Sequence, residues 1–418
     1  MIFNRLYYIN KLISHKHNKM VKVVTGIRRS GKSFLLFELF RNHLIDNGVR
    51  EDHIITIALD DRLNKQLRDP DACLSYIRNL VKDKDMYYVM IDEVQLMDEF
   101  VDVLNSLLHL SNVDAYVTGS NSKFLSSDVI TEFRGRGDEI HINPLSMNEI
   151  CEAMPDIDWN RQWELYMTYG GLPMTVLYQS EKEKADYLKK LLKETYLRDI
   201  KERHKIANDL ELEQLLNMLA SSVGSLTNPQ KLSDTFLSSG KMKLSANTIK
   251  QYLDYLCEAY LIDKSERFDI KGKRYISTPY KFYFTDLGLR NAKLNFRQIE
   301  ETHLMENAIY NELIMRDFNV DVGVVEVREK DGNDNSVRKH IEVDFVVNQG
   351  SKRYYIQSAF ALPNVEKVQQ ETRPLINIPD SFKKIIVVKD DILLRRDDNG
   401  IVTMGLKQFL MDSNSLDL

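Results

Sequence analysis

The chain has 418 residues, 43% of them hydrophobic, which is enough for two to four domains that each bury a core. Sixty-two acidic against 57 basic residues leave a net charge of -5, excluding a globally basic surface and leaving only local patches for contact with nucleic acid. Cys73, Cys151 and Cys257 are far apart and odd in number, which excludes a disulfide framework and points to reduced thiols in the cytoplasm. The opening stretch MIFNRLYYINKLISHKHNKM interrupts its apolar residues with Arg5, Lys11 and Lys16, so no signal-peptide core is expected. No run approaches the roughly 18 apolar residues of a membrane span, so no membrane contact is expected either.

Val21 to Thr25 reads as a short buried strand. Gly26, Ile27, Arg28, Arg29, Ser30, Gly31, Lys32 and Ser33 follow as G-x-x-x-x-G-K-S, and from Phe34 apolar residues return at helical spacing. Strand, phosphate loop and helix in that order suit a nucleotide. The two glycines let backbone N–H groups curl around phosphates, and the helix N-terminus adds its positive dipole. Lys32 offers a cation to the β- and γ-phosphates, and the Ser33 hydroxyl offers a ligand to Mg²⁺. His53 to Leu59, Tyr87 to Ile91 and Ala115 to Gly119 read as further buried strands separated by helical stretches, the alternation of a parallel α/β sheet. The strand at Tyr87 ends in Asp92-Glu93. Asp92 there would serve the Mg²⁺ shell and Glu93 would orient the attacking water.

Ser120 or Asn121, just past the next strand end, is a candidate γ-phosphate sensor, with a plain turn cap as the alternative for each. Arg134 and Arg136 precede a strand expected over Glu139 to Ile142; an arginine there can neutralise transition-state charge on a neighbouring subunit's nucleotide, and Arg134 reads better as a surface cation. Thr168 to Val176, TYGGLPMTV, breaks a helical region with Gly170, Gly171 and Pro173. It is either a helix–helix turn or a loop that brings Pro173 against an adenine ring.

GIRRSGKS, the IDEVQ strand, TGSNS, GRGDEIHINPLSMNE, YGGLP and ETYLRDIKER resemble, in this order and spacing, a family of AAA+ ATPases related to the STAND class, which carry a winged helix and end in a nuclease-like domain of unknown function. The resemblance implies ATP and Mg²⁺ as ligands, with residues 26–33 on the nucleotide and Asp92 and Glu93 on metal and water. It also implies Asn121 or Ser120 as sensor, Arg136 as the better arginine finger, and Gly171 and Pro173 as nucleotide contacts. The fold class expected is α/β, a P-loop NTPase with the AAA+/ASCE parallel sheet. Its segments would be an ATPase core over 1–145, a helical lid and linker over 146–208, a winged helix-turn-helix over 209–293, and a PD-(D/E)XK nuclease-like domain over 294–418.

Three helices are expected at Glu213 to Val223, Asn228 to Leu237 and Ser245 to Leu261, followed by a hairpin. Lys264, Arg267, Lys271, Lys273, Arg274 and Lys281 outnumber Glu266 and Asp269 there, a basic wing over 264–281 that suits DNA phosphates. The recognition helix offers little to base edges, and a protein partner fits as well. The tail reads as helix (304–318), strand (322–328), strand (341–347), strand (354–358) and helix (365–373), an order that resembles PD-(D/E)XK nucleases. Glu306 and Asp344 stand as carboxylates, but Gln357 and Ala359 replace the glutamate and lysine such enzymes need. Lys352, Lys367 or Gln369 would have to fill the gap. The reading is therefore an ATP-hydrolysing protein whose nucleotide state presents a winged helix and a catalytically lapsed nuclease fold to DNA or protein, with a second copy implied if Arg136 acts in trans. An ATP-regulated nuclease and a non-catalytic nucleotide-dependent switch are the alternatives.

Overall fold

The structure, a computed structural model, describes residues 2–119, 135–206, 209–238, 244–330 and 336–418. They divide into two compact units, Met1–Pro144 with Glu258–Tyr260, and Leu145–Cys257 with Leu261–Leu418.

The first unit is built on five short strands, β1 (Val21–Thr25), β2 (Ile54–Ala58), β3 (Tyr87–Asp92), β4 (Val113–Thr118) and β5 (Gly137–His141). All pair in parallel in the order β2-β3-β4-β1-β5. β4 therefore stands between β1 and β3, the ASCE arrangement expected from the sequence. Parallel strands are covered on both faces, which is why they read as continuous apolar runs. Their side chains alternate between two cores. Val21, Val23, Ile57, Ile91 and Val117 pack with Cys73 and Ile77 of helix Pro70–Leu80 and with Leu104 and Leu107 of helix Phe100–Leu108. Val24, Ile54, Met90, Tyr116 and Ile140 pack with Leu12 of helix Leu6–Ser14 and with Leu36, Phe40 and Leu44 beyond the phosphate loop. Lys22 breaks the pattern: it is fully buried in β1, with Asp114 as its ion-pair partner and its ammonium 4.8 Å from the centre of the Tyr116 ring.

The second unit opens with helix Met147–Ala153, whose N-terminus is closed by a capping box between Ser146 and Glu149. Helix Trp159–Tyr169 follows, then the Gly170-Gly171 turn, and helix Pro173–Leu177 begins on Pro173 itself, where a missing N–H costs nothing. Helices Asp209–Ser221, Pro229–Ser238 and Ala246–Glu258 lie close to the three expected.

The hairpin after them is not a free wing. Its strands β6 (Ile262–Asp269) and β7 (Arg274–Phe284) belong to an eight-stranded sheet with β8 (Asn319–Lys330), β9 (Ser336–Gln349), β10 (Lys352–Ala359), β11 (Lys383–Val388), β12 (Arg395–Arg396) and β13 (Val402–Gly405), in the order β12-β13-β11-β10-β9-β8-β6-β7. β6 runs parallel to β8, with Arg267 opposite Val322 and Asp269 opposite Val324. The boundary expected at 293/294 thus falls within one sheet. Lys281, counted from the sequence among the wing's phosphate contacts, is 2% exposed and turned inward. Lys264 pairs with Glu266 and Arg274 with Asp269, so the outward-facing positive charge of the hairpin concentrates at its exposed turn, Lys271 and Lys273. Helix Glu301–Met315, β8, β9, β10 and helix Val365–Ile376 follow one another as the tail's sequence pattern predicts, with β8, β9 and β10 antiparallel neighbours; β11, which that pattern does not include, runs parallel to β10.

A buried carboxylate fixes the Gly-Gly-Leu-Pro turn. Asp286 accepts hydrogen bonds from the backbone N–H of Gly171 at 2.8 Å and of Leu289 at 3.0 Å, and Asn291 donates to the carbonyls of Met167 and Thr168 at 2.7 and 3.0 Å. Burial pushes the Asp286 carboxyl up to about 6, against the pull of those N–H groups. A Cβ on Gly171 would lie 2.2 Å from the carbonyl oxygen of Leu145. Gly171→Ala should therefore destabilise the second unit by about 2–4 kcal/mol, read as a lower urea midpoint. An unchanged midpoint would mean that the turn can move away from Leu145 freely.

Candidate nucleotide site

The phosphate loop joins the carboxyl end of β1 to a helix that begins at Lys32. Gly26 has φ +131°, and a Cβ there would meet the Ile142 carbonyl oxygen at 2.2 Å, so only glycine lets the chain leave β1 along this path. Arg29 (φ 66°) and Gly31 (φ 97°) are left-handed as well and curl the loop back toward the helix. The first helical turn leaves N–H groups without helical acceptors at the loop's mouth. The Ser30 hydroxyl is buried without a hydrogen-bond partner, a polar atom that a bound oxyanion would satisfy. Ile27 is fully buried, Arg28 half-buried, and Arg29, Ser33 and Phe34 are exposed. From Leu35 to Phe40 the helix widens into π geometry before tightening again at Arg41.

Lys32 folds back on its own loop. Its Nζ donates to the carbonyls of Gly26 at 2.9 Å and Ile27 at 3.0 Å, and the residue is 5% exposed. Burial draws its ammonium down to about 8, resisted by Glu93 and Asp92 and aided by Arg28. Opposite it, at the end of β3, Asp92 accepts hydrogen bonds from the Ser33 hydroxyl at 3.0 Å and, closely, from the Thr118 hydroxyl. Burial raises the Asp92 carboxyl, while these two donors lower it. Glu93 sits in a left-handed conformation (φ 52°) that turns the chain out of the strand; its backbone N–H donates to the Thr118 hydroxyl at 3.0 Å, and Gln95 donates to its carboxylate. Ser33 and Asp92 thus present two hard oxygen donors side by side, a pair that fits Mg²⁺.

Thr118, fully buried at the end of β4, was not singled out by the motif reading, although it stands in the strand that reading placed. Its single hydroxyl links Asp92 to the Glu93 backbone. Ser120, Asn121 and Arg134 lie outside the described residues. Arg136 is exposed immediately before β5, and its carbonyl accepts from Val21 N–H at 2.9 Å. That is the amino end of β1, so the length of the strand separates Arg136 from the phosphate loop of its own chain, roughly 16 Å for five residues. Pro173 belongs to the second unit.

In the second unit, Asp344 and Gln357 are brought together next to the Phe345–Ile356 pair of β9 and β10, with the Asp344 N–H donating to the Gln357 side-chain amide oxygen at 3.4 Å and the Ser358 N–H to the Asp344 carboxylate at 2.8 Å. Burial pushes the Asp344 carboxyl well above the usual carboxylate range, with Lys281 pulling it down and Glu306 pushing it up. Ala359 is 1% exposed and packs in the core with Leu375 and Val388, so a lysine at that position would be buried among apolar side chains. Lys352 pairs with Asp417 and Lys367 with Glu371; neither fills the gap left by Gln357 and Ala359.

Fold and phosphate loop together define a P-loop NTPase of the AAA+ type, and residues 18–151 match the family model described as an AAA domain. Residues 160–300 match a second family, described as a domain of unknown function (DUF8612). The chain belongs to one family with an uncharacterized protein of Haemophilus influenzae, 31% identical over 392 residues that cover 92% of this chain and 93% of that one. An uncharacterized protein of Methanocaldococcus jannaschii is 30% identical over 375 residues, 86% of this chain and 78% of that one. Among solved structures it is similar to AMPPCP-bound DnaA from Aquifex aeolicus, at 15% identity over 61% of this chain and 88% of that one with a TM-score of 0.31. It is likewise similar to the Aeropyrum pernix ORC1 protein in complex with DNA, at 11% identity over 70% and 92% with a TM-score of 0.31. No helix among the described residues is long and apolar enough to cross a membrane.

The state of Lys32 makes nucleotide affinity depend on pH. Phosphates bind the ammonium form, and the free protein loses that form as pH rises through about 8. Affinity for an ATP analogue should therefore hold below this point and fall above it by up to about tenfold per pH unit, whereas Lys32→Arg, charged throughout, should bind with a flat profile. A wild-type profile that is flat to pH 10 would contradict the assignment.

Proposed function

We propose that the protein hydrolyses ATP with Mg²⁺ and uses its nucleotide state to control how the second unit meets a partner. The observation that carries this reading is the hydrogen bond of the phosphate-loop Ser33 to Asp92, with Glu93 next in the chain and fastened through Thr118. Lys32 would exchange the carbonyls of Gly26 and Ile27 for the β- and γ-phosphate oxygens, and the Ser30 hydroxyl and the loop N–H groups would take others. Ser33, with Asp92 behind it, would hold Mg²⁺, which supplies charge to the transferring phosphoryl group. Glu93 would orient the attacking water, and Thr118 would keep Glu93 and Asp92 in register. A mere binding switch has no need of that second carboxylate. The sensor role of Asn121 or Ser120 and the adenine contact of Pro173 belong to the same proposal; Asp286 holds the turn that leads to Pro173.

Glu93→Gln should bind ATP as the wild type does and lose phosphate release by a factor of at least about 10², the range for a residue that assists proton movement from water. Turnover at the wild-type rate would remove Glu93 from this role. Arg136, at the far end of β1 from its own phosphate loop, supports action on a neighbouring copy. Specific activity should then fall on dilution, and Arg136→Ala should lower it by about 10³ or more at saturating protein concentration. A rate independent of concentration, together with an active Arg136→Ala, would rule out the trans arginine.

DNA is the partner class we favour, through the exposed cations of the β6–β7 turn, with the sheet of the second unit as a docking module. Duplex DNA added to the ATPase assay, with strand scission followed in parallel, separates a DNA-responsive ATPase from a nuclease and from a protein-directed switch.

A further inference from the structure

The second unit holds a buried charge cluster that has no part in the nucleotide site. Glu306 comes from helix Glu301–Met315, and Glu342 and Asp344 come from β9, two residues apart and so on one face of the strand. Between them stands the ammonium of Lys281, from β7, whose side chain is 3% exposed. Its Nζ is 2.9 Å from Glu306, 2.7 Å from Glu342 and 3.7 Å from Asp344. Tyr283, two residues further along β7, donates its hydroxyl to Glu306 at 2.7 Å. The main chain closes the remaining side: a Cβ on Gly224 would lie 3.0 Å from the Glu306 carboxylate, and the Gly224 N–H donates to the Phe282 carbonyl on β7 at 3.2 Å.

Carboxylates converging from a helix and a strand are what a hard dication requires. Here the donor set does not fit one. A cation already stands at the centre of the three carboxylates, and the side-chain amide oxygen of Gln357, the neighbour on β10, accepts from the Asp344 N–H. A dication entering this space would have to expel a buried ammonium or sit against it, and at such separations in a dry interior two like charges repel strongly. The strand that carries the lysine is not part of the tail's own pattern; it joins the sheet because β6 pairs with β8 and brings β7 in at the edge.

We propose that Lys281 occupies the place of the divalent cation in this cluster, making it a centre closed to metal, so that the surrounding sheet serves as a binding module and not as a nuclease. The inference rests on the reading of the tail as a lapsed nuclease fold and is independent of ATP turnover. It also explains how β7 is anchored to the sheet: the three carboxylates that would need a metal are bound instead by a residue of the hairpin.

The test is Mn²⁺ binding to the full-length protein without nucleotide, followed by the loss of the free-ion electron paramagnetic resonance signal. The wild type should show no Mn²⁺ ion that Asp344→Asn removes. Lys281→Met should gain one Mn²⁺ per chain, with a thermal midpoint that rises on adding the ion, and the added Asp344→Asn should abolish both effects. Where Lys281→Met fails to fold, Lys281→Met with Glu342→Gln removes one charge of each sign and answers the same question; should neither fold, the wild-type arm decides alone. A wild-type Mn²⁺ site that Asp344→Asn destroys would overturn the proposal, as would a folded Lys281 variant that binds no more Mn²⁺ than the wild type. Because no arm contains ATP, failure here leaves the ATPase reading untouched, and failure of ATP hydrolysis leaves this one untouched.

Discussion

An ammonium group taken out of water must recover its solvation from oxygen atoms of the protein, and the oxygens it finds decide what it can do next. Lys32 finds two backbone carbonyls of its own loop, neutral acceptors, and the nearby carboxylates of Glu93 and Asp92 offset its burial only in part, so its proton is held less firmly than in water. Such a lysine gains by exchanging its partners for phosphate oxygens. Lys281 finds carboxylates; burial works against its charge, but Glu306, Asp344 and Glu342 outweigh it and hold the proton more tightly than water would. That lysine has nothing to gain by moving. The same side chain is thus poised in one unit and locked in the other, and the difference lies in the charge of its neighbours.

Each arrangement depends on backbone that few sequences allow. The phosphate loop leaves β1 through Gly26, pressed against the Ile142 carbonyl, and reaches the helix through left-handed Arg29 and Gly31. β4, standing between β1 and β3, carries the Thr118 hydroxyl to the level of Asp92 and Glu93. In the second unit Gly171 and Asp286 fix a turn, and Gly224 admits the Glu306 carboxylate close to the main chain. Glycine at positions 26 and 171 is a steric requirement of the path the chain takes.

Local structure was readable from the sequence. The five strands of the first unit, the glycines and lysine of the loop, and Asp92-Glu93 follow from short-range pattern, because continuous apolar runs and a glycine-spaced loop encode their structure within a few residues. Long-range pairing was not readable. Nothing within β6 and β7 tells that β6 will lie beside β8, so their cations read as a solvated wing, and Lys281 was assigned to phosphates when it belongs to Glu306, Glu342 and Asp344. A lysine on a strand gives no sign of its burial until the sheet's order is known. Thr118 was hidden for a related reason: a threonine ending a strand is unremarkable until the neighbouring strand places two carboxylates beside it. Ala359 looked like a lost lysine, and it is a core residue beneath Leu375.

On the proposed reading, Lys32 and Ser33 rest on stand-ins for a nucleotide and its metal. A crystal structure with Mg²⁺ and a non-hydrolysable ATP analogue tests this most directly. On that reading Lys32 leaves the carbonyls of Gly26 and Ile27 for the β- and γ-phosphates, the Ser33 hydroxyl leaves Asp92 for the metal, and Thr118 keeps its contact with Asp92. A nucleotide bound elsewhere, or one in the loop with Lys32 still on the carbonyls and Ser33 still on Asp92, would contradict it.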